Sequence, residues 1–255
     1  MMNTAGRMKA LSLVGRIILE NGGEIYRAED TIRRMAQAMH LDEAEAFGLP
    51  SGLFISFTDD EGQRQTTVCR MHGRDTHLGR VDLVNQLSRR FTAGKLEEEE
   101  LLRQLEELSK PAKVSRFHAP LTAALTAFGF ALMFEGGVWD ALISAVCAAL
   151  TQMIPWLWRW ERDNIVKLVA GSAISALIPM LFHHITGLGL TDAMVAGALM
   201  PLVPGLSMTN AVQDIVRGDM VSGTAHGARA LLTAALVAGG ALIGAQCYGW
   251  IGGLL

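Results

Sequence analysis

The chain contains 255 residues, of which half are hydrophobic and 18% are charged, and its formal net charge is −3. This composition excludes an ordinary soluble protein and indicates a chain that is membrane-embedded in one part. No basic stripe accompanies aromatic positions, so we expect no nucleic-acid partner. The cysteines are scattered, without a CxxC pair or histidines at ligand spacing. We therefore expect no disulfide framework, metal or cofactor.

Residues 1–113 have the pattern of a small α+β domain. Apolar residues recur every three or four positions from Met8 to Ile18, as in an amphipathic helix that ends at Asn21-Gly22-Gly23. Three more helices are predicted, at residues 28–39, 81–91 and 96–108. Two strands, 53–58 and 66–70, are predicted to form a hairpin. The run 110–113 is the predicted linker to the rest of the chain.

Charged residues interrupt the first apolar stretch, namely Arg7, Lys9, Arg16 and Glu20. A cleavable signal peptide requires an unbroken apolar region, so none is predicted. The amino terminus is therefore expected to remain in the cytoplasm.

Residues 114–255 have the pattern of a transmembrane domain with about five helices. Uncharged apolar stretches lie at residues 119–134, 141–158, 168–191, 193–213 and 230–255. A hydrocarbon core about 30 Å thick needs about 20 helical residues, and all but the first stretch approach or exceed that length. The fold class predicted is a multi-pass α-helical membrane domain preceded by a small cytoplasmic α+β domain.

Basic residues occur only in alternate connections of this domain. They are Lys110, Lys113 and Arg116 before the first stretch, Arg159, Arg162 and Lys167 between the second and third, and Arg217 and Arg229 between the fourth and fifth. The positive-inside rule then places the amino-terminal domain in the cytoplasm and the carboxyl terminus outside.

The fourth stretch contains the run Met200-Pro201-Leu202-Val203-Pro204-Gly205. Proline removes a backbone donor and clashes with the preceding turn, so a break is predicted near the middle of the bilayer. Irregular backbone at that depth is tolerated only inside protein or along a water-filled cavity. The half-helix after the break would direct its N–H groups and positive dipole end at a carboxylate. The alternative is that the prolines only kink a packing helix.

Polar residues follow the break on one helical face, at Ser207, Asn210, Asp214 and Arg217. The predicted substrate-binding residues are Pro201, Pro204, Gly205, Ser207, Thr209 and Asn210. Asp214 is a candidate proton carrier, because a carboxylate near a membrane is costly to keep charged; the alternative is a helix cap or an interfacial ion pair. His183 and His184 are further candidates for proton coupling, or belong to an interfacial belt.

Pairs of small residues at four-residue spacing favour close helix packing, within the chain or against another subunit. They are Gly171 and Ser175, Gly223 and Gly227, and Gly240 and Gly244.

Two segments resemble the threonine/serine exporter family. Residues 21–31, NGGEIYRAEDT, resemble its amino-terminal signature, and residues 201–211, PLVPGLSMTNA, with Asp214, Gly218-Asp219 and Ser222-Gly223, resemble its membrane signature. The resemblance implies an exporter. We expect it in the bacterial inner membrane, where the orientation given by the positive-inside rule makes the carboxyl terminus periplasmic. Single-gene members of the family carry a second, shorter membrane half, so the chain looks like the larger subunit of the split form, which is associated with succinate and related dicarboxylates.

The split form implies a second small membrane subunit as partner, and a homo-oligomer is compatible with it. An amino-acid substrate, threonine or serine, is the alternative. A membrane-anchored sensor or scaffold is a third reading. The sequence has no GxSxG or HExxH motif, so we expect no enzyme activity.

Overall fold

The computed structural model describes residues 2–71, 76–110, 117–157 and 164–252. The chain forms two compact units. Residues 1–112 and 206–227 form the sheet-containing unit, and residues 113–205 and 228–255 form the helical unit. The segment 206–227 thus belongs with the amino-terminal residues. Several predictions fall on residues outside the described ranges. These are residues 111–113 of the predicted linker with the domain boundary, Arg159 and Arg162, and the carboxyl-terminal Leu255.

The sheet-containing unit has four helices in its amino-terminal part: α1 (Thr4–Glu20), α2 (Ile25–Ala38), α3 (Leu78–Thr92) and α4 (Glu98–Ser109). They confirm the predicted helices, although α2 begins three residues before the predicted start. The Asn3 side chain caps α1 by accepting from the Gly6 N–H at 2.9 Å. The apolar face of α1 contacts α2, α3 and α4. Together these helices bury a single apolar core.

The sheet has three antiparallel strands in the order β1 (Asp42–Leu49), β2 (Gly52–Thr58) and β3 (Arg64–Arg70). The hairpin of β2 and β3 confirms the prediction, and β1 was not predicted. Leu53, Ile55 and Phe57 alternate along β2 and are buried, because one face of the sheet packs on the helices. Gly15 of α1 permits this packing, since a Cβ there would lie 2.3 Å from Leu53 Cδ2.

The helical unit contains α5 (His118–Met133), α6 (Val138–Leu157), α7 (Asn164–Thr186) and α8 (Thr191–Leu199). A 3-10 turn, Met200–Leu202, follows α8. α9 (Gly205–Val216) and α10 (Met220–Gly252) complete the chain. α10 begins ten residues before the predicted fifth stretch, because Asp219 caps it by accepting from the Ser222 N–H at 3.0 Å.

Among the described residues, two helices are long and apolar enough to cross a bilayer alone, α7 from Ile165 to Thr186 and α10. The number rises to three if Thr191–Leu202 and Gly205–Val216, which are bent by 60° at their break, count as one span. α5 and the segment Val138–Ile154 of α6 are apolar but shorter. A multi-helix apolar part is therefore observed, while five spans remain a prediction.

Small residues bring the helices of this unit together. A Cβ at Gly240 would lie 2.2 Å from Ser172 Oγ, and one at Gly244 would lie 2.3 Å from the Ala173 carbonyl oxygen. Both glycines of α10 thus pack on α7 within the chain, which removes them as contacts for another subunit. α7 continues as one helix through Pro179.

Candidate functional site

The turn between α1 and α2 is built by the first signature segment. Asn21 ends α1 and its side chain donates to the Ile17 carbonyl at 2.7 Å. Gly22 has φ +87°, a left-handed conformation that favours glycine. A Cβ at Gly23 would lie 2.8 Å from the Ile18 carbonyl oxygen. Both glycines therefore serve a tight helix stop.

The second signature segment contacts this turn within the sheet-containing unit. Asn210 of α9 donates through Nδ2 to the Gly22 carbonyl at 3.4 Å. Arg217, just after α9, places its guanidinium carbon 3.2 Å from the ring centroid of Tyr26. A guanidinium over an aromatic face is attracted by the ring quadrupole. The two segments that resemble the family signatures, nearly two hundred residues apart, are thus in contact.

A shallow cavity of about 330 Å³ lies beside these contacts. Its lining combines backbone of the turn with polar and charged side chains of α2, α3 and α9. The lining residues include Gly22, Gly23, Arg27, Asp82, Asn85 and Asn210. Arg27 is held at its edge by an ion pair with Glu24 at 2.8 Å. The cavity is large enough for a small polar solute.

A buried, hydrogen-bonded pair of a carboxyl group and an imidazole lies where α9 meets the start of α10. Asp214 Oδ2 and His226 Nδ1 are 2.8 Å apart, and their side chains are 2% and 6% exposed. Gly223 allows the two helices to approach, because a Cβ there would lie 3.0 Å from the Ala211 carbonyl oxygen. Gly218, with φ +91°, makes the turn between them.

Glu29 of α2 is half-buried next to this region. Its Oε1 accepts from the Gly48 N–H of β1 at 2.7 Å. Burial raises the pKa of the Glu29 carboxyl, and the Gly48 hydrogen bond opposes part of that rise. Glu29 thus connects α2 to the sheet.

The helix is interrupted where the sequence predicted a break. Pro201 lies in the 3-10 turn, Val203 is extended with ψ 130°, and Gly205 is the first residue of α9 after Pro204. Ser207, Thr209 and Asn210 lie on the first turns of α9. Asp214 lies on the same helix and is buried, whereas Arg217 is exposed beyond its end. The interruption is confirmed, and its use as a substrate site stays a prediction.

The remaining predicted proton-coupling residues belong to the helical unit. His183 and His184 are exposed at the end of α7. His183 Nδ1 is 3.1 Å from the Leu188 carbonyl oxygen, and His184 Nδ1 is 3.2 Å from the Tyr248 hydroxyl. The histidine that contacts Asp214 is His226, which sequence reasoning missed. The sequence position of His226 could have marked it as a candidate, since it lies four residues after Ser222 of the second signature segment.

Within the described ranges, no group of three or more His, Cys, Asp or Glu side chains is placed to hold a metal ion. Long apolar helices, small-residue helix contacts and a proline break are the features of a helical membrane protein.

Comparison with known proteins defines the family. Residues 9–248 match the family described as "Putative threonine/serine exporter". The chain belongs to the threonine/serine exporter family. No solved structure matches it.

Three relatives illustrate the range of lengths in the family. The "Probable threonine/serine exporter" of Mycobacterium tuberculosis is 26% identical over 89% of this chain, which spans 43% of that protein. An uncharacterized protein of Schizosaccharomyces pombe is 24% identical over 96% of this chain, which spans 33% of it. The "Probable succinate transporter subunit YjjP" of Escherichia coli is 26% identical, with 88% of each chain covered. The chain thus spans less than half of the first two relatives and most of the third.

Proposed function

We propose that the chain is one subunit of an exporter of small carboxylates, with succinate and related dicarboxylates as substrates. Membership of the exporter family supports the transport class. The relative of matching length, in Escherichia coli, is named a succinate transporter subunit. That name supports a dicarboxylate substrate and a chain that acts as one subunit of a transporter.

The observation that carries the proposal is the broken helix pair. An apolar helix, α8, stops at a 3-10 turn, and the chain restarts as α9 with Ser207, Asn210 and Asp214 along it. The first N–H groups of a helix have no partner within it and carry its positive dipole end. A carboxylate bound there needs no buried arginine. Ser207, Thr209 and Asn210 supply further hydrogen bonds.

The proposed arrangement in the bacterial inner membrane has five spans. α5 and α6 are the shorter ones, α7 and α10 are full length, and the broken pair is the fourth. The amino-terminal part of the sheet-containing unit, residues 1–112, lies on the cytoplasmic side, and the cavity that it forms with α9 receives solute before export. Asp214 couples export to protons.

Reconstitution in proteoliposomes tests the function. The chain is reconstituted alone and with the small membrane protein encoded by a neighbouring gene, and counterflow of labelled succinate and of labelled threonine is measured. We expect succinate counterflow only with both subunits. Full activity of the chain alone refutes the partner, and transport of neither solute refutes the exporter and favours a scaffold.

The break is tested by replacing Pro204 and Gly205 with alanine. A continuous helix would bond the N–H groups at the start of α9 to carbonyls of the preceding turn, so solute affinity is expected to fall on the order of tenfold, the loss of about one charge-assisted hydrogen bond. Pro179→Ala is the matched control, because that proline lies inside a helix that is already continuous. If both variants keep wild-type affinity, the substrate binds elsewhere.

Threonine or serine is the second candidate substrate, favoured by the name of the Mycobacterium tuberculosis relative. A zwitterion carries an ammonium group that a dicarboxylate lacks. Glu24 and Asp82 both line the cavity, and Asp82 would receive the ammonium group because Glu24 is paired with Arg27. Counterflow of labelled threonine, with none of labelled succinate, would support threonine or serine as the substrate.

A further inference from the structure

We infer that Asp214 and His226 act as one proton-carrying pair, with His226 as the residue that shares and positions the transported proton. The inference rests on the proposed proton-coupled export and adds to it a second residue from a different helix. Its basis is the burial and geometry of the pair.

The pair is removed from solvent and in direct contact. Asp214 Oδ2 lies 2.8 Å from His226 Nδ1, and both side chains are more than nine-tenths buried. Two arrangements hold a single proton between them: carboxylate with imidazolium, or carboxylic acid with neutral imidazole. Both are neutral overall. Adding a proton leaves a net positive charge and removing one leaves a net negative charge, and a buried uncompensated charge is costly. The two residues therefore titrate as a unit.

Charged groups around the pair come from three elements. The carboxylates of Asp219, in the α9–α10 turn, and of Glu24, in the α1–α2 turn, act electrostatically on Asp214. Glu29 of α2 also interacts with Asp214 and Asp219. Among the nearby cations, Arg217 lies over the Tyr26 ring, Arg27 is paired with Glu24, and Arg33 acts electrostatically on Glu29.

Two polar atoms on the helices that carry the pair are buried without a hydrogen-bond partner among the described residues. They are Ser222 Oγ, one helical turn before His226 on α10, and Gln213 Oε1, next to Asp214 on α9. Unsatisfied buried polar groups are rare in folded proteins and call for an explanation. A site that alternately gains and loses a proton supplies such an explanation. Polar atoms beside it are needed as hydrogen-bond partners in only one of its two protonation states.

The position of the pair on α9 gives the coupling. Asp214 lies one helical turn after Asn210, which belongs to the proposed carboxylate site. A solute anion binding one turn away is repelled when the pair has lost its proton and tolerated when the proton is present. By linkage, solute binding then raises the affinity of the pair for the proton, and the proton raises the affinity for the solute.

Transport assays separate coupling from binding. Asp214→Asn and His226→Gln are compared with the wild type and with His118→Gln, an exposed histidine as control. Succinate counterflow needs no net proton movement, whereas accumulation driven by a pH gradient does. We expect both variants to keep counterflow while gradient-driven accumulation falls on the order of 5- to 150-fold, the usual range for coupled sites. Retained gradient coupling in His226→Gln overturns the inference, and so does equal loss of both activities in a folded variant, which would make the pair structural.

A measurement without transport distinguishes failure of the inference from failure of the proposed function. The protein is labelled with ¹⁵N-histidine in nanodiscs, and the His226 signal is assigned by its loss in His226→Gln. We expect Asp214→Asn to move the titration midpoint of His226 and to leave that of His118 unchanged. An unchanged His226 midpoint overturns the pair. A shifted midpoint in a protein that transports no carboxylate would support the Asp214–His226 pair and refute the proposed exporter function.

Discussion

Arg7 is a charged residue in the core of the sheet-containing unit. Its side chain is 3% exposed and lies 3.0 Å from Asp60 and 3.3 Å from Glu98. Glu98 also accepts from the Met2 N–H at 2.7 Å. Arg7 therefore ties α1 to the β2–β3 turn and to α4. The sequence showed Arg7 only as a charge that interrupts an apolar stretch.

Replacing Arg7 with methionine is expected to destabilise the protein by about 2 kcal/mol, because Glu98, whose side chain is only 14% exposed, would lose its guanidinium partner and keep only the Met2 N–H. Arg16→Met is the matched control on the same helix, since Arg16 is 45% exposed in its pair with Glu20 and such pairs contribute about 0.5 kcal/mol. Thermal unfolding of the full chain in detergent, followed by near-UV circular dichroism, measures both. Equal shifts in the two variants would contradict the role given to Arg7.

Glu29 makes stability depend on pH. Its pKa is raised in the folded state, so the folded protein holds this proton more tightly than the unfolded chain. Stability is then lost as pH rises from the unfolded value, about 4.3, through the raised folded value. Glu29→Gln keeps an acceptor for the Gly48 N–H and removes the charge. We expect its stability relative to the wild type to increase with pH across that window.

Unfolding midpoints from pH 4 to pH 8 check this prediction. Asp30→Asn is the control, because the Asp30 side chain is 44% exposed in its ion pair with Arg34. If the difference in unfolding midpoint between Glu29→Gln and the wild type is constant with pH, ionisation of Glu29 does not contribute to the pH dependence of stability.

Among the elements, amphipathic helices and the β2–β3 hairpin were predictable because their apolar residues follow the period of each structure. Strand β1 was not, since its sequence DEAEAFGL is rich in alanine and glutamate, which favour helices. Its pairing with β2, for example Phe47 opposite Phe54, decides its conformation. The proline break was predictable from local chemistry. The Asp214–His226 pair was not, because it joins two helices across a turn.

The contact between α10 and α7 gives a prediction at this scale. Gly240→Ala is expected to destabilise the protein, because the added methyl group would overlap Ser172 and the Val169 carbonyl. Gly239→Ala is the matched control on the same helix, where no other atom lies within 4 Å. In a helix, alanine is favoured over glycine by about 1 kcal/mol, so the control is expected to be neutral or stabilising.

Thermal unfolding and copurification with the second subunit separate the alternatives. Loss of stability in Gly240→Ala alone supports packing within the chain. A stable Gly240→Ala protein that no longer copurifies with the second subunit would show that Gly240 lies at the subunit interface.

For the whole molecule, the sequence predicted an amino-terminal domain and a membrane domain as consecutive parts. The structure instead groups residues 206–227 with the amino-terminal residues. Local patterns cannot reveal this, since α9 is apolar on average and its partners, Gly22 and Tyr26, are distant in the sequence.

The topology prediction belongs to this scale. An odd number of spans places residues before the linker in the cytoplasm and the carboxyl terminus in the periplasm, because basic residues occupy only the inner connections. Alkaline phosphatase fused after Leu255 is expected to be active, and the same fusion after Ser109 inactive. An inactive but well-expressed fusion after Leu255 would refute five spans.

The discontinuous sheet-containing unit has a consequence for biosynthesis. Its amino-terminal part leaves the ribosome first, but residues 206–227 follow only after the intervening chain of residues 113–205. At about 5–20 residues per second, the nascent protein waits roughly 5 to 20 seconds for α9. During that interval the Gly22 carbonyl and the Tyr26 ring lack their partners from the second segment. The unit is therefore completed only after the first apolar helices have been delivered to the membrane, which ties maturation of this surface to successful insertion.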